Sequence, residues 1–239
     1  MLKQHLNLTR SFALLLAWGL SGAPAMATEE PKFETVSRHG PIELRRYAPF
    51  IVAETFVEGD MDAASGKGFR AIADYIFGNN VAAGQSQAQL SEKVSMTVPV
   101  TMTPVNTTGK ATSQKIAMTA PVALEPLSAT EPATTQPHPL QGANRWRVHF
   151  VMPSAYTLGT LPTPNNPAVQ LREVPAKTWA VLSYTGFNTE VGIQQRADEL
   201  LMWLAERNIK ATGSPQLARY NPPWTLPMFR RNEIMLEVE

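Results

Sequence analysis

A strand, a turn, a second strand and an amphipathic helix occur in that order twice in this chain, and a repeated unit of this kind calls for a fold in which both copies share one core. In the first copy Ile42 and Leu44 alternate with polar residues, Ala48-Pro49 turns the chain, and Ile51 to Val57 reads as a second strand. Phe69, Ile72, Ala73, Ile76 and Phe77 then fall on one stripe of a helix that Gly78-Asn79 would end. Asp62 or Ser65 is the expected N-cap, and Lys67, Arg70 and Asp74 the outer face. The order returns at an offset of 127 positions, as from Leu44 to Leu171. Val169 and Leu171 alternate, Pro175 turns the chain, Thr178 to Thr185 reads as a strand, and a helix begins near Asn188 or Thr189. Its stripe is Ile193, Ala197, Leu200, Leu201 and Leu204. Aligned without a gap, residues 42–59 and 169–186 share Leu44/Leu171, Arg45/Arg172, Ala53/Ala180 and Gly59/Gly186. The repeats are expected at about 41–125 and 145–239.

A nearer duplication lies within the first repeat. Ser91 to Pro104 matches Ser113 to Pro126 at seven of 14 positions, including Met96/Met118 and Pro99/Pro121. Thr and Val favour strand, each Pro needs an edge or bulge, and the two strings are expected to be arms of one ribbon. Pro126 to Gly142 and Leu161 to Pro167 read as loops, Arg145 to Met152 as a strand with Trp146, Val148, Phe150 and Met152 on one face, and Gln216 to Tyr220 and Glu233 to Val238 as closing strands. Short links between adjacent strands argue against parallel βαβ winding. The expected class is α+β, a sheet or open barrel with both helices packed on it.

Lys3 and Arg10, the apolar run Phe12 to Leu20 and Ala25-Met26-Ala27 have the form of a secretory leader cut after Ala27. The apolar run is too short for a span of about 20 residues. The mature chain, 28–239, is expected to be one soluble domain without a stable membrane anchor, in the periplasm or beyond. Cleavage takes Lys+Arg from 21 to 19 against 20 Asp+Glu, so nothing steers the chain toward nucleic acid. With no cysteine, disulfides, thiolate metal sites and a Cys nucleophile are excluded.

Local motifs for catalysis are missing. Gly66-Lys67-Gly68-Phe69-Arg70-Ala71 fits a loose dinucleotide pattern but stands too far from the preceding strand, and no G-x-S-x-G, P-loop or H-E-x-x-H string occurs. His138 is flanked by prolines in a loop; His39 at a turn and His149 on a strand could each ligate iron as a neutral imidazole, or be ordinary surface or core residues. Met96, Met102 and Met118 could line a flat apolar ligand or fill core. Lys67 and Arg70 could pair with a ligand's carboxylates or simply be solvated.

Lys93-Val94-Ser95-Met96-Thr97-Val98-Pro99-Val100 and Lys115-Ile116-Ala117-Met118-Thr119-Ala120-Pro121-Val122 resemble the K-I-x-M-T-x-P-V signature of the SOUL haem-binding family. Ile42-Glu43-Leu44-Arg45-Arg46-Tyr47 is similar to its opening strand, and Tyr220-Asn221-Pro222-Pro223-Trp224-Thr225 with Arg230-Arg231-Asn232-Glu233-Ile234 to its C-terminal motif. The resemblance covers nearly all of residues 33–239. It implies a distorted open barrel of two β-α-β pseudo-repeats, and non-covalent binding of haem or another tetrapyrrole in an apolar cleft beside the first helix. Carried over by position, Phe69 and Ala73 would line that cleft, with Lys67 and Arg70 as propionate partners. Some members have a His where Arg46 stands here, which removes that axial ligand. A binding protein with no catalytic or metal-ligating set is the leading expectation. The alternatives are a module for another apolar small molecule or a protein partner, and an enzyme acting on a small molecule through carboxylates such as Glu43 or Glu54, which otherwise read as strand-face residues in water.

Overall fold

Apolar and β-branched residues at alternate positions mark the inward faces of most of the strands. In a computed structural model describing residues 29–83, 113–127, 139–222 and 224–239, the strands are β1 (Phe33–His39), β2 (Ile42–Tyr47), β3 (Phe50–Glu58), β4 (Asn80–Val81), β5 (Val122–Pro126), β6 (Arg145–Val151), β7 (Thr163–Pro164), β8 (Gln170–Val174), β9 (Lys177–Tyr184), β10 (Gln216–Arg219) and β11 (Asn232–Val238). The helices are α1 (Met61–Ile76) and α2 (Glu190–Glu206). The expected leader, the first ribbon string Ser91–Pro104 and His138 lie outside the described residues.

Nine strands form one antiparallel sheet in the order β1-β2-β9-β11-β10-β5-β6-β3-β8, and β4 pairs with β7 apart from it. Exchanging β2 with β8, β3 with β9, β5 with β10 and β6 with β11 turns the order from β2 to β8 back onto itself. The pseudo-twofold axis passes through the pair Leu124 and Leu217. This exchange puts β6 with the first half. Each half lends its opening strand to the other: β2 pairs with β9, and β8 with β3. Both helices lie on one face, α1 mainly on β3 and β6 and α2 on β9 and β11. The curled sheet is the α+β open barrel of two pseudo-repeats expected above.

One apolar core joins both halves, from Ile72, Tyr75 and Trp146 through Leu124 and Leu217 to Leu200 and Leu204. The α2 stripe follows its spacing: Ile193, Ala197, Leu200 and Leu204 are buried and Leu201 is half-buried. The α1 stripe is displaced from expectation. Ile72, Ala73 and Ile76 are buried, but Phe69 and Phe77 are exposed, and the inward line runs through Met61, Ala64, Gly68, Ile72 and Tyr75. Gly68 is the reason, because a Cβ there would come within 2.6 Å of Val148. Without that carbon α1 settles closely on β6, and Phe69 is carried to the shoulder of the helix.

Two other expectations change. Asp60, not Asp62 or Ser65, caps α1, accepting from the Ala63 amide at 2.8 Å, while Thr189 caps α2 as expected. Within the second ribbon string, residues 113–118 form no strand and Val122–Pro126 is an inner strand flanked by β6 and β10, so its edges are not free to form a two-arm ribbon. Pro126 fits there because β5 pairs with β10 only through residues 122–124. β1 has no apolar alternation and is held at the edge by backbone pairing with β2.

Candidate functional site

Between the helices the floor of the sheet is β5 and β10. Cross-strand pairing there lines up Phe150 on β6, Val122 on β5, Arg219 on β10, Asn232 on β11 and Tyr184 on β9. Alternation turns all five toward the helices, since Val148, Leu124, Leu217, Ile234 and Leu182 two positions along are in the shared core. Four strand spacings of about 4.8 Å make the row about 19 Å wide. Leu124 and Leu217 are fully buried, but Val122 and Arg219 one step further are only half-buried, so the floor opens at this level.

The row differs from end to end. Under α1 it is apolar: the Phe69 ring tilts against Phe150 at 5.6 Å, and Ala73 and Phe77 continue the shoulder of the helix one and two turns on. Toward α2 it is polar and cationic. The Arg196 guanidinium lies 4.1 Å over the Tyr184 ring and donates to the Gly192 carbonyl at 2.7 Å. Burial pushes the Tyr184 phenol up to about 12, so it keeps its proton and donates to Asn188 Oδ1 at 2.6 Å. Asn188 in turn donates to Asn232 Oδ1 at 2.8 Å.

Arg219 stands where the two characters meet. Its Nη1 donates to Ser65 Oγ of α1 at 3.2 Å and its Nη2 lies 3.7 Å from Asp62 Oδ1, a side chain 84% exposed. Its Nε is buried and finds no hydrogen-bond partner among the described residues. Burial holds its proton affinity below that of an ordinary arginine. The missed signal was in plain alternation: with Leu217 inward in Gln216–Arg219, a cation two residues on must face inward too.

The expected site residues do not all gather here. Phe69 is on the apolar end of the row, and Ala73 is buried one turn away. Lys67 is turned to the Glu58 carbonyl at 3.2 Å, and Arg70 is exposed on the outer face. Met118 is 40% exposed; Met96 and Met102 lie outside the described residues.

The histidines and carboxylates singled out above lie elsewhere. His149 is buried on the opposite face of the sheet, held neutral by desolvation with its pKa lowered to about 4, and His39 packs on Trp203 near the far end of α2. Arg46 pairs with Glu34 and lies opposite Thr178, six residues along β9 from Tyr184, or about 20 Å from the row. Glu43 and Glu54 are not solvated strand-face residues. Both are buried on the opposite face, Glu43 on Arg45 at 2.6 Å and Glu54 on Arg172 at 2.8 Å.

The C-terminal motif is largely architectural. Glu233, fully buried, accepts from Arg45, Ser183, Tyr220 and Arg231. Arg230 ties the following loop by donating to the Thr225 carbonyl at 2.7 Å, and the Gly186 amide donates to Pro227. The loop so held exposes Trp224, Leu226, Met228 and Phe229 beside Phe187. A separate recess of about 310 Å³ lies near the start of β3, lined by Lys32, Phe50, Met152, Tyr156 and Glu173 among others.

Comparison with known proteins bears on the family and the fold. The profile of the SOUL heme-binding protein family matches residues 28–113 and 106–237. No curated protein matches the sequence. The fold is similar to the C-terminal domain of EcmrR, at 12% identity and TM-score 0.50 over 83% of this chain and 96% of that one. It is also similar to EcmrR in its DNA complex, at 12% identity and TM-score 0.52 over 83% of this chain and 57% of that one. A hydrolase from Listeria innocua aligns at 13% identity and TM-score 0.48, over 85% and 94% of the two chains.

Proposed function

The chain belongs to the SOUL heme-binding family, and from that premise we propose that it is an exported, non-catalytic binding protein for haem or a related tetrapyrrole, held without a covalent bond between the two helices. The observation that carries this reading is the row from Phe150 to Tyr184, apolar under α1 and cationic toward α2. A tetrapyrrole has the matching asymmetry, a broad apolar ring with carboxylates along one side. Phe69, exposed above the fully buried Phe150, and the half-buried Val122 would take the ring. At about 25 cal/mol per Å2, each 100 Å2 of apolar surface removed from water contributes about 2.5 kcal/mol, so a flat ligand of this size gains useful affinity without an axial ligand. His149 is on the opposite face of the sheet and His39 is packed on Trp203 of α2, which favours a site that does not depend on either imidazole.

The test is a titration of the purified mature protein with haem, followed at the Soret band. A saturable shift at micromolar protein is expected, and its absence overturns the reading. Export rests on the leader-like residues 1–27. The intact mass of protein recovered from the periplasm of its host should correspond to a chain beginning at Thr28, and a chain retaining Met1 would overturn that part.

A further inference from the structure

We infer that Arg219 is the residue that receives an acidic side chain of the bound tetrapyrrole, in place of Lys67 and Arg70 on the outer face of α1. The inference rests on the ligand class proposed above and says where in the groove its charge is met. A guanidinium binds a carboxylate best through two parallel N–H groups, and the side-on pair is Nε with Nη2. Arg172 makes that contact with Glu54, at 3.0 Å from Nε and 2.8 Å from Nη2. In Arg219 the same edge is unpaired within the protein, with Nε itself buried. Nε has no partner among the described residues, and Nη2 has only Asp62 at 3.7 Å, an exposed carboxylate that a ligand can displace into water.

Position supports the assignment. Arg219 is next to Val122 and one strand further from Phe150, so a ring seated against Phe69 and Val122 brings its acidic edge over β10. Nη1 is anchored on Ser65 Oγ, which holds the guanidinium plane in place before a ligand arrives. Arg196 on the far side adds positive charge without competing for the same edge. Lys67 is turned away to the Glu58 carbonyl.

The experiment compares protoporphyrin IX with its dimethyl ester, in the same detergent, against the wild type, Arg219→Gln and the double variant Lys67→Ala/Arg70→Ala. Arg219→Gln should weaken the free acid on the order of tenfold or more while changing the ester less than about twofold. The double variant should bind both as the wild type does. Retained ester binding also shows that the variant is folded. The assignment is overturned if Arg219→Gln binds the free acid as the wild type does, if acid and ester weaken in parallel, or if the double variant alone loses the preference for the acid. If the wild type saturates with neither porphyrin, the tetrapyrrole reading itself falls, and the assignment with it.

Discussion

The two faces of the sheet treat their arginines differently. On the face away from the helices Arg45, only 5% exposed, is bound by Glu43 and Glu233 and touches Tyr47, while Arg172 closes its side-on edge on Glu54. Arg147 donates from Nη1 to Glu125 at 2.7 Å, while its Nε, also without a hydrogen-bond partner among the described residues, lies 3.6 Å from the Glu54 carboxylate. These charges are cancelled within the protein, and Glu233, with no solvent exposure, gains acceptor bonds from four side chains. On the helix face Arg219 has one hydroxyl and one distant, exposed carboxylate. A charge met by buried carboxylates is architecture, whereas the only carboxylate near Arg219 among the described residues is the exposed Asp62.

The largest expected effect tests the closed face. Arg45→Ala removes the cation facing two buried carboxylates and should lower unfolding free energy by about 3–5 kcal/mol in urea denaturation. Porphyrin affinity of the fraction still folded should be unchanged. A loss under about 1 kcal/mol would erase the contrast between the faces.

His149 gives the next effect, also on the closed face. Its folded pKa of about 4 against 6.5 means that the unfolded chain binds more protons between those values. The stability associated with the neutral imidazole is therefore fully present above about pH 6.5 and is lost as pH falls toward 4, about 3 kcal/mol across the window. Glu54, Glu125, Arg147 and Arg172 share this face, and burial raises Glu125, which works in the opposite direction over part of the range. The difference between wild type and His149→Gln isolates the imidazole. The wild type should lose more stability from pH 6.5 to 4 than the variant, and parallel curves would rule this account out.

The smallest effect sharpens the helix face. Gly68→Ala puts a methyl against Val148 and should cost about 1–3 kcal/mol through overpacking. By lifting α1 it should also weaken porphyrin binding, since the spacing of Phe69 over Phe150 depends on that close approach. A stable variant with unchanged affinity would show that the height of α1 is irrelevant to the groove.

Much of this was legible beforehand. Alternation in Arg145 to Met152 marked the core face of β6 and put His149 on the other side, and the α2 stripe followed its 3.6-residue spacing. The same local rules misread Phe69 and Phe77, because periodicity counts apolar residues and is blind to a glycine that rotates the helix. They left Glu43 and Glu54 in water because their arginine partners, Arg45 and Arg172, are fixed by strand pairing rather than by a charge pattern along the chain. Arg219 was readable as an inward cation, but its unpaired edge was not, since its neighbours Ser65 and Asp62 come from α1 and Tyr184 from β9.

What the sequence by itself determined is the local part: two strand-strand-helix units, where each helix stands, and the strings that place the chain in the SOUL heme-binding family. Backbone preference and apolar spacing act over a few residues, so they can be read from a few residues. Only the tertiary structure decided that each half lends its first strand to the other, that Phe150, Val122, Arg219, Asn232 and Tyr184 form one row, and that Arg45 and Arg172 meet buried carboxylates on one face while Arg219 meets only an exposed one on the other. Those are relations between residues as far apart as Arg45 and Glu233, set by the core that both halves must fill together.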